Sequence, residues 1–251
     1  MTTITTIPSN KDVLKALLRA DFTTQWRNRR SVILILLIPV IILISWKGLI
    51  DKLGGAFVLS NCITIGLNAI GLMGYSNAIA RDRDKGIFQR LRVAPLTAWS
   101  IMASRLAVQL AMILMLTVCV FIAGHYVDKI TLSPQGYIVG FGISFIGGAV
   151  YLGLGQAIVG FIKNAETVNA VTRLVYFVFI MVGMFADLGA LGDKVGKIAQ
   201  WSPYGTVRHL LAAGMQPSSW TEHSTMALLI TVGYAIVFSA LGIKWFRWSS
   251  K

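Results

Sequence analysis

Three histidines, His125, His209 and His223, are the side chains of this sequence best suited to moving a proton or holding a metal near neutral pH. Their spacing suits neither task. No H-E-x-x-H is present, no paired glutamates stand inside an apolar run, and each histidine falls in or beside a polar loop. The two cysteines, Cys62 and Cys119, lack C-x-x-C or metal-ligand spacing, and in apolar surroundings a thiol behaves as a small hydrophobe. No G-x-x-x-x-G-K-[ST] phosphate loop occurs; "GDKVGK" at 192–197 has no hydroxyl after its lysine. We therefore expect no catalytic residue, no metal site and no cofactor bound by this chain.

Polar chemistry is concentrated in two other places. The first is "RDRDKGIFQRLRVAPL" at 81–96, seven charges in a chain otherwise poor in them. Gly86 breaks that run where a turn is needed. Beyond it Ile87, Phe88 and Leu91 share one helical face, Gln89, Arg90 and Arg92 the other, and Pro95 stops simple continuation. The spacing predicts a short amphipathic helix whose exposed Phe88 and Leu91 plug a groove on another protein. The second place is Asn61, Thr64 and Asn68, at i, i+3 and i+7, one polar stripe on a helix. Such a stripe either glues helices together or lines a path through a membrane, and both readings stay open.

The elements that must carry these residues are membrane spans. Of 251 residues 55% are hydrophobic and 13% charged, with a mean hydropathy of +0.69; a soluble domain carries about 25% charged residues. Six apolar runs approach the ~20 residues a helix needs to cross a bilayer, at roughly 32–49, 56–80, 106–124, 137–162, 174–191 and 225–243. An all-α polytopic protein is expected, with a cytoplasmic arm at 1–31, a transmembrane domain at 32–243 and a tail at 244–251. Pro39 is tolerable in the first run, and Lys47 near its end can snorkel. No cleavage site follows that run, so it is expected to stay as an anchor.

The net charge of +13 is distributed as topology rather than as a nucleic-acid face. Of 23 Lys and Arg residues, seventeen fall with the arm, the 81–99 loop, Arg105 at the boundary beyond it, Lys163, Arg173 and the tail; the six others are Lys47, Lys52, Lys129, Lys194, Lys197 and Arg208. The positive-inside rule then puts both termini and the charged loop in the cytoplasm, with Trp245 and Trp248 in the headgroup zone. Nucleic acid is not an expected partner; the lipid bilayer is.

The arm places Val13, Leu14, Leu17, Leu18 and Phe22 on one half of a helix and Lys15, Arg19 and Arg27 on the other, a basic amphipathic helix for the inner leaflet or a partner. Asp21 and Gln25 interrupt the apolar face. The 192–224 segment reads as two short helices broken at Ser202-Pro203, at the outer surface or dipping partway in. Gly140, Gly147, Gly148, Gly153, Gly155 and Gly160 point to close helix packing. Gln109 and Gln156 stand alone inside spans, Asp187 is either interfacial or cargo-facing, and Arg105 is expected to snorkel.

The stretch from Ala80 to Trp99, "ARDRDKGIFQRLRVAPLTAW", resembles the loop of the type-2 ATP-binding-cassette (ABC) permeases, membrane subunits similar to the daunorubicin-resistance exporters. Asp82 and Asp84 stand for the family's acidic pair, followed by Gly86, Leu91, Pro95 and Leu96; Ile87 and Gln89 replace the family's usual Thr and Glu. The arm, the Pro-bearing first run, the six spans and "WSPYGTVRHLL" extend the resemblance along the chain. It implies an ATPase-coupling element at Asp82, Asp84, Gly86, Ile87, Phe88, Leu91 and Pro95, braced by an interface helix carrying Leu14, Leu17, Leu18 and Phe22. It further implies two cytoplasmic ATPase subunits holding ATP and magnesium, a second permease chain, and residence in a bacterial cytoplasmic membrane. Efflux of a drug-like or amphiphilic cargo, as in multidrug resistance, is the expected function. Export of a lipid-linked polysaccharide, or a complex that senses or assembles without transporting, are the alternatives.

Overall fold

The computed structural model describes residues 10–93 and 98–245, and no strand occurs among them. α1 (Asn10–Arg27) and α2 (Arg29–Ser45) meet at 60° around Asn28. Trp46 ends α2: its N–H is shared between the carbonyls of Ile42 and Leu43, and the Ser45 hydroxyl turns back to the Ile41 carbonyl. α3 (Lys47–Leu53) follows separately, so the helix expected through 32–49 is interrupted at Trp46. Gly54, at φ +86°, then turns the chain into α4 (Gly55–Asn68).

α4 runs through a π-helical segment, Ala69–Tyr75, into α5 (Ser76–Asp84), making one rod of 30 residues. At about 45 Å it exceeds the ~30 Å hydrocarbon core, so its charged end stands clear of the acyl chains, at headgroup depth or beyond. A π register leaves carbonyls without their usual partners. Here the Ser76 hydroxyl donates to the Leu72 carbonyl and the Asn77 amide to that of Met73. The remaining helices are α6 (Ile87–Val93), α7 (Ala98–Tyr126), α8 (Pro134–Phe161), α9 (Ala165–Asp187), α10 (Gly192–Ala199), α11 (Pro203–Met215) and α12 (Glu222–Trp245).

Among the described residues, five helices are individually long and apolar enough to cross a bilayer: the Gly55–Asp84 rod, α7, α8, α9 and α12. The bent pair of α1 and α2 makes a sixth if taken as one span. The chain is an all-α, multi-pass membrane protein. The rod is its central post, with 89% of its most apolar window buried, against 22% for α9 and 17% for α12. Leu174 and Phe177 on α9, and Leu229, Ile236 and Ile243 on α12, are exposed. An apolar patch of that extent is untenable in water and ordinary against acyl chains.

Small residues set how closely the post is gripped. A Cβ on Gly155 would stand 2.5 Å from the Gly71 carbonyl oxygen, so α8 crosses the π segment backbone to backbone. Gly153 faces Ser239, and Gly242 faces Gln156, along the α8–α12 seam. Without a hydrophobic force between helices in lipid, such contacts are what hold spans together. α11 starts at the Ser202-Pro203 break, where Ser202 Oγ caps the helix by accepting from the Gly205 N–H at 3.1 Å. Its Tyr204, Val207, Leu210 and Leu211 are wholly buried against α4, α8 and α12. α10 stays mostly exposed.

Candidate functional site

The charged peptide begins as the last turn of α5. Arg81 and Arg83 suit the negative end of the helix dipole. The Gly86 N–H returns to the Arg83 carbonyl, and Gly86 itself sits at φ +68°, a left-handed conformation that costs other residues energy. The chain thereby turns sharply into α6, whose first bond runs from the Arg90 N–H to the Gly86 carbonyl.

Three consecutive side chains at this corner each reach a different part of the bundle. Asp82 Oδ2 lies 2.7 Å from Arg105 Nη2 on α7. The same guanidinium places Nε 3.3 Å from Asp21 Oδ1 on α1, and Asp21 Oδ2 accepts a 2.5 Å hydrogen bond from the Ser104 hydroxyl. Arg83, only 1% exposed, donates 2.7 Å hydrogen bonds to the carbonyls of Val159, Ile162 and Lys163, the C-terminal end of α8 and its exit. Asp84 Oδ2 accepts from the Ala165 N–H at 3.3 Å, the start of α9, which Asn164 caps by accepting from the Glu166 and Thr167 N–H groups. The corner is therefore joined to α1, α7, α8 and α9 together.

An arginine suits this work because its planar fork presents donors in fixed directions, whereas an ammonium offers one point charge. Hydrogen bonds from charged donors contribute roughly 1.5–3 kcal/mol each where buried, without simple addition. The corner is held to its neighbouring helices by these polar ties.

The structure redistributes several residues read from the sequence. Phe88, expected to be exposed, is fully buried in the chain's own core, because the turn at Gly86 folds that face of α6 back onto the bundle. Ile87 is half-buried, while Gln89 and Arg90 are exposed. Leu91 is placed on α6, and Pro95 lies outside the described residues. Asp82 and Asp84 spend their carboxylates on partners within the chain. On α1, Leu14, Leu17 and Leu18 are half-buried and α1 packs on α7, leaving Phe22 44% exposed. Arg105, expected to snorkel, sits between two carboxylates instead; its partners are too far along the chain for spacing to have revealed them.

The polar stripe lies inside the bundle in this conformation. Asn61 accepts a 3.0 Å hydrogen bond from the Tyr204 hydroxyl of α11 and donates to the Phe57 carbonyl. Thr64 donates to the Ser60 carbonyl, and Asn68 donates at 3.5 Å to the Tyr176 carbonyl of α9 while its Oδ1 has no partner among the described residues. Tyr75 donates to Gln156 Oε1 at 2.8 Å, so both sit on a tie between the π segment and α8. Farther along, Asp187 pairs with Arg208 at 2.7 Å. His209 and His223 meet edge-on at 4.5 Å, with Trp201 4.6 Å from His223. Burial, then the neighbouring His223 and Arg208 charges, push the His209 imidazole down to about 4.

Comparison with known proteins gives this arrangement its place. The model of the family described as "ABC-2 type transporter" matches residues 12–215, from α1 through α11. The protein named "Putative transport permease YvfS" of Bacillus subtilis (strain 168) is 21% identical over 233 residues, covering 88% of this chain and 92% of that protein. The matched region holds the α5–α6 corner and every helix tied to it, and the chain belongs to the ABC-2 type transporter family as a membrane permease subunit.

Proposed function

We propose that this permease subunit exports a drug-like or amphiphilic molecule, using ATP hydrolysed by a separate cytoplasmic ATPase. The motor's motion enters the bundle at the α5–α6 corner. One observation carries this reading: Asp82, Arg83 and Asp84, three residues in a row, tie that corner to α1, α7, α8 and α9. A docking element that must move spans needs a stiff base, and buried Phe88 supplies it. Exposed Gln89 and Arg90 are then the side chains of α6 that meet the ATPase. The lysine and arginine asymmetry supports cytoplasmic termini in a bacterial cytoplasmic membrane. The family resemblance supports a working unit of two permease chains and two ATPase subunits. For Asn61, Thr64 and Asn68 to line a path, α4 must part from α9 and α11 during the cycle.

Replacing both exposed residues, Gln89→Glu with Arg90→Glu, tests the docking face without touching a buried group. The ATPase should no longer co-purify with the permease, and cargo efflux from cells should fall to background. Undiminished co-purification and efflux would remove α6 as the docking element.

A further inference from the structure

Beside the corner, a hollow of about 320 Å³ opens between α1, α5 and α7. Its wall carries five charges: Asp21, Asp82, Arg81, Lys85 and Arg105. Arg105 is shared by both carboxylates. Arg81 and Lys85 make no ion pair among the described residues, and they leave the lining with one net positive charge. Tyr75, Ala78, Ile79 and Val108 give the same hollow an apolar side.

A second, smaller hollow of about 40 Å³ adjoins the first, since Gln25 and Val108 line both. It is an apolar furrow between α1, α2 and α7, bordered by Phe22, Trp26, Met112 and Met115. Trp26 is 61% exposed at its rim. Gln25, which interrupts the apolar face of α1 in sequence, stands where the polar hollow gives way to the furrow.

A basic hollow beside an apolar furrow, both bordered by α1, has the polarity of an amphiphile with an anionic head. We propose that it binds an anionic glycerophospholipid from the leaflet on the α1 side. The phosphate sits between Arg81 and Lys85, and a short stretch of one acyl chain enters the furrow beside Phe22 and Trp26. One uncompensated positive charge matches the single negative charge of phosphatidylglycerol, whereas a zwitterionic lipid would leave it unmatched. A free phosphate shares the head chemistry but leaves the furrow empty. The bound lipid would fasten α1 to α7 beside the Asp21–Arg105 pair, making lipid part of the joint. This proposal rests on the membrane setting alone and stands or falls apart from the cargo.

The test uses the full-length chain in phosphatidylcholine nanodiscs containing a small share of acyl-brominated phosphatidylglycerol, with tryptophan quenching as the readout. Trp26→Phe identifies the Trp26 signal among the seven tryptophans. Brominated phosphatidylglycerol should quench Trp26 at a lower mole fraction than brominated phosphatidylcholine. Arg81→Gln with Lys85→Gln should weaken that preference about tenfold, and Met115→Phe should weaken it by narrowing the furrow while both cations remain. Circular dichroism melting confirms that each variant is folded, and these exposed or rim positions leave the core intact. Equal quenching by the two lipids, or a preference unaltered by the double replacement, would overturn the proposal. Competition by soluble glycerol phosphate would overturn it too, in favour of a soluble anion.

Discussion

The two ends of the bundle are tied by different means. At the α5–α6 corner, partners are shared: Arg105 serves carboxylates from two helices, and Arg83 serves three carbonyls around the α8–α9 junction. At the other end most polar ties between helices are pairwise, although Arg208 also lies over the Phe57 ring and His223 meets both Trp201 and His209. Asp187 holds Arg208, Tyr204 holds Asn61, Tyr151 reaches the Pro203 carbonyl and Tyr234 that of Trp201. A shared partner transmits displacement, because moving one member disturbs all the others. A pairwise tie can break while its neighbours stay. Under the proposed function, that contrast suits one end that moves as a unit and another that separates helix by helix.

Arg83 gives the largest expected effect. Arg83→Met should lower unfolding stability by about 3 kcal/mol in denaturant titrations in detergent. Arg83→Lys should recover less than half, because one ammonium cannot reproduce a fork over three carbonyls. Full recovery by lysine would mean that charge alone matters and would erase the geometric side of the contrast. Next is Gly155→Val, which forces α8 away from the Gly71 carbonyl and should cost about 1–3 kcal/mol by the same titration. Its effect should fall on α8 packing and leave the corner's ion pairs intact.

Arg105→Gln comes third. With side-chain exposures of 13–19% across its three charges, the network should contribute only about 1 kcal/mol to stability. Exchanging Arg105→Asp with Asp82→Arg should restore about half of the coupling in a double-mutant cycle, since Asp21 then faces a like charge. A cost as large as that of Arg83→Met would show the corner to be a packing element rather than a transmission point.

At neutral pH the smallest effect belongs to the far end, and it grows only on acidification. The folded His209 titrates near 4, below its ordinary value of 6.5. The unfolded chain therefore takes up a proton first on acidification. The stabilisation is complete above pH 6.5 and is lost as pH falls towards 4. The melting midpoint should decline across that window, and His209→Asn should flatten the decline. Among the described residues, the groups facing this ring are His223, Arg208 and Ser224, none of them acidic.

Local signals carried much of this structure into view. Gly86 and Ser202-Pro203 mark real breaks because a left-handed turn and a missing N–H are properties of single residues. The apolar faces of α1 and α6, and the glycines of α8, follow from helical period. What covers a face does not follow from period. Phe88 reads as amphipathic whether its apolar side meets a foreign cleft or its own bundle, and only the fold shows that it is buried. Arg105 is opaque for another reason. Asp21 and its hydrogen-bonding neighbour Ser104 are 83 residues apart, and Asn61 and Tyr204 are 143 apart. No spacing rule reaches that distance, so a clamp reads as a snorkelling cation and a helix tie as half of an open choice.

The most direct test of transmission through the corner is the number of cargo molecules moved per ATP hydrolysed. It should be measured on the permease reconstituted with its ATPase, wild type against Arg105→Gln. The account predicts hydrolysis near the wild-type rate with that ratio lowered about tenfold. An unchanged ratio, whether both rates hold or both fall together, would contradict it.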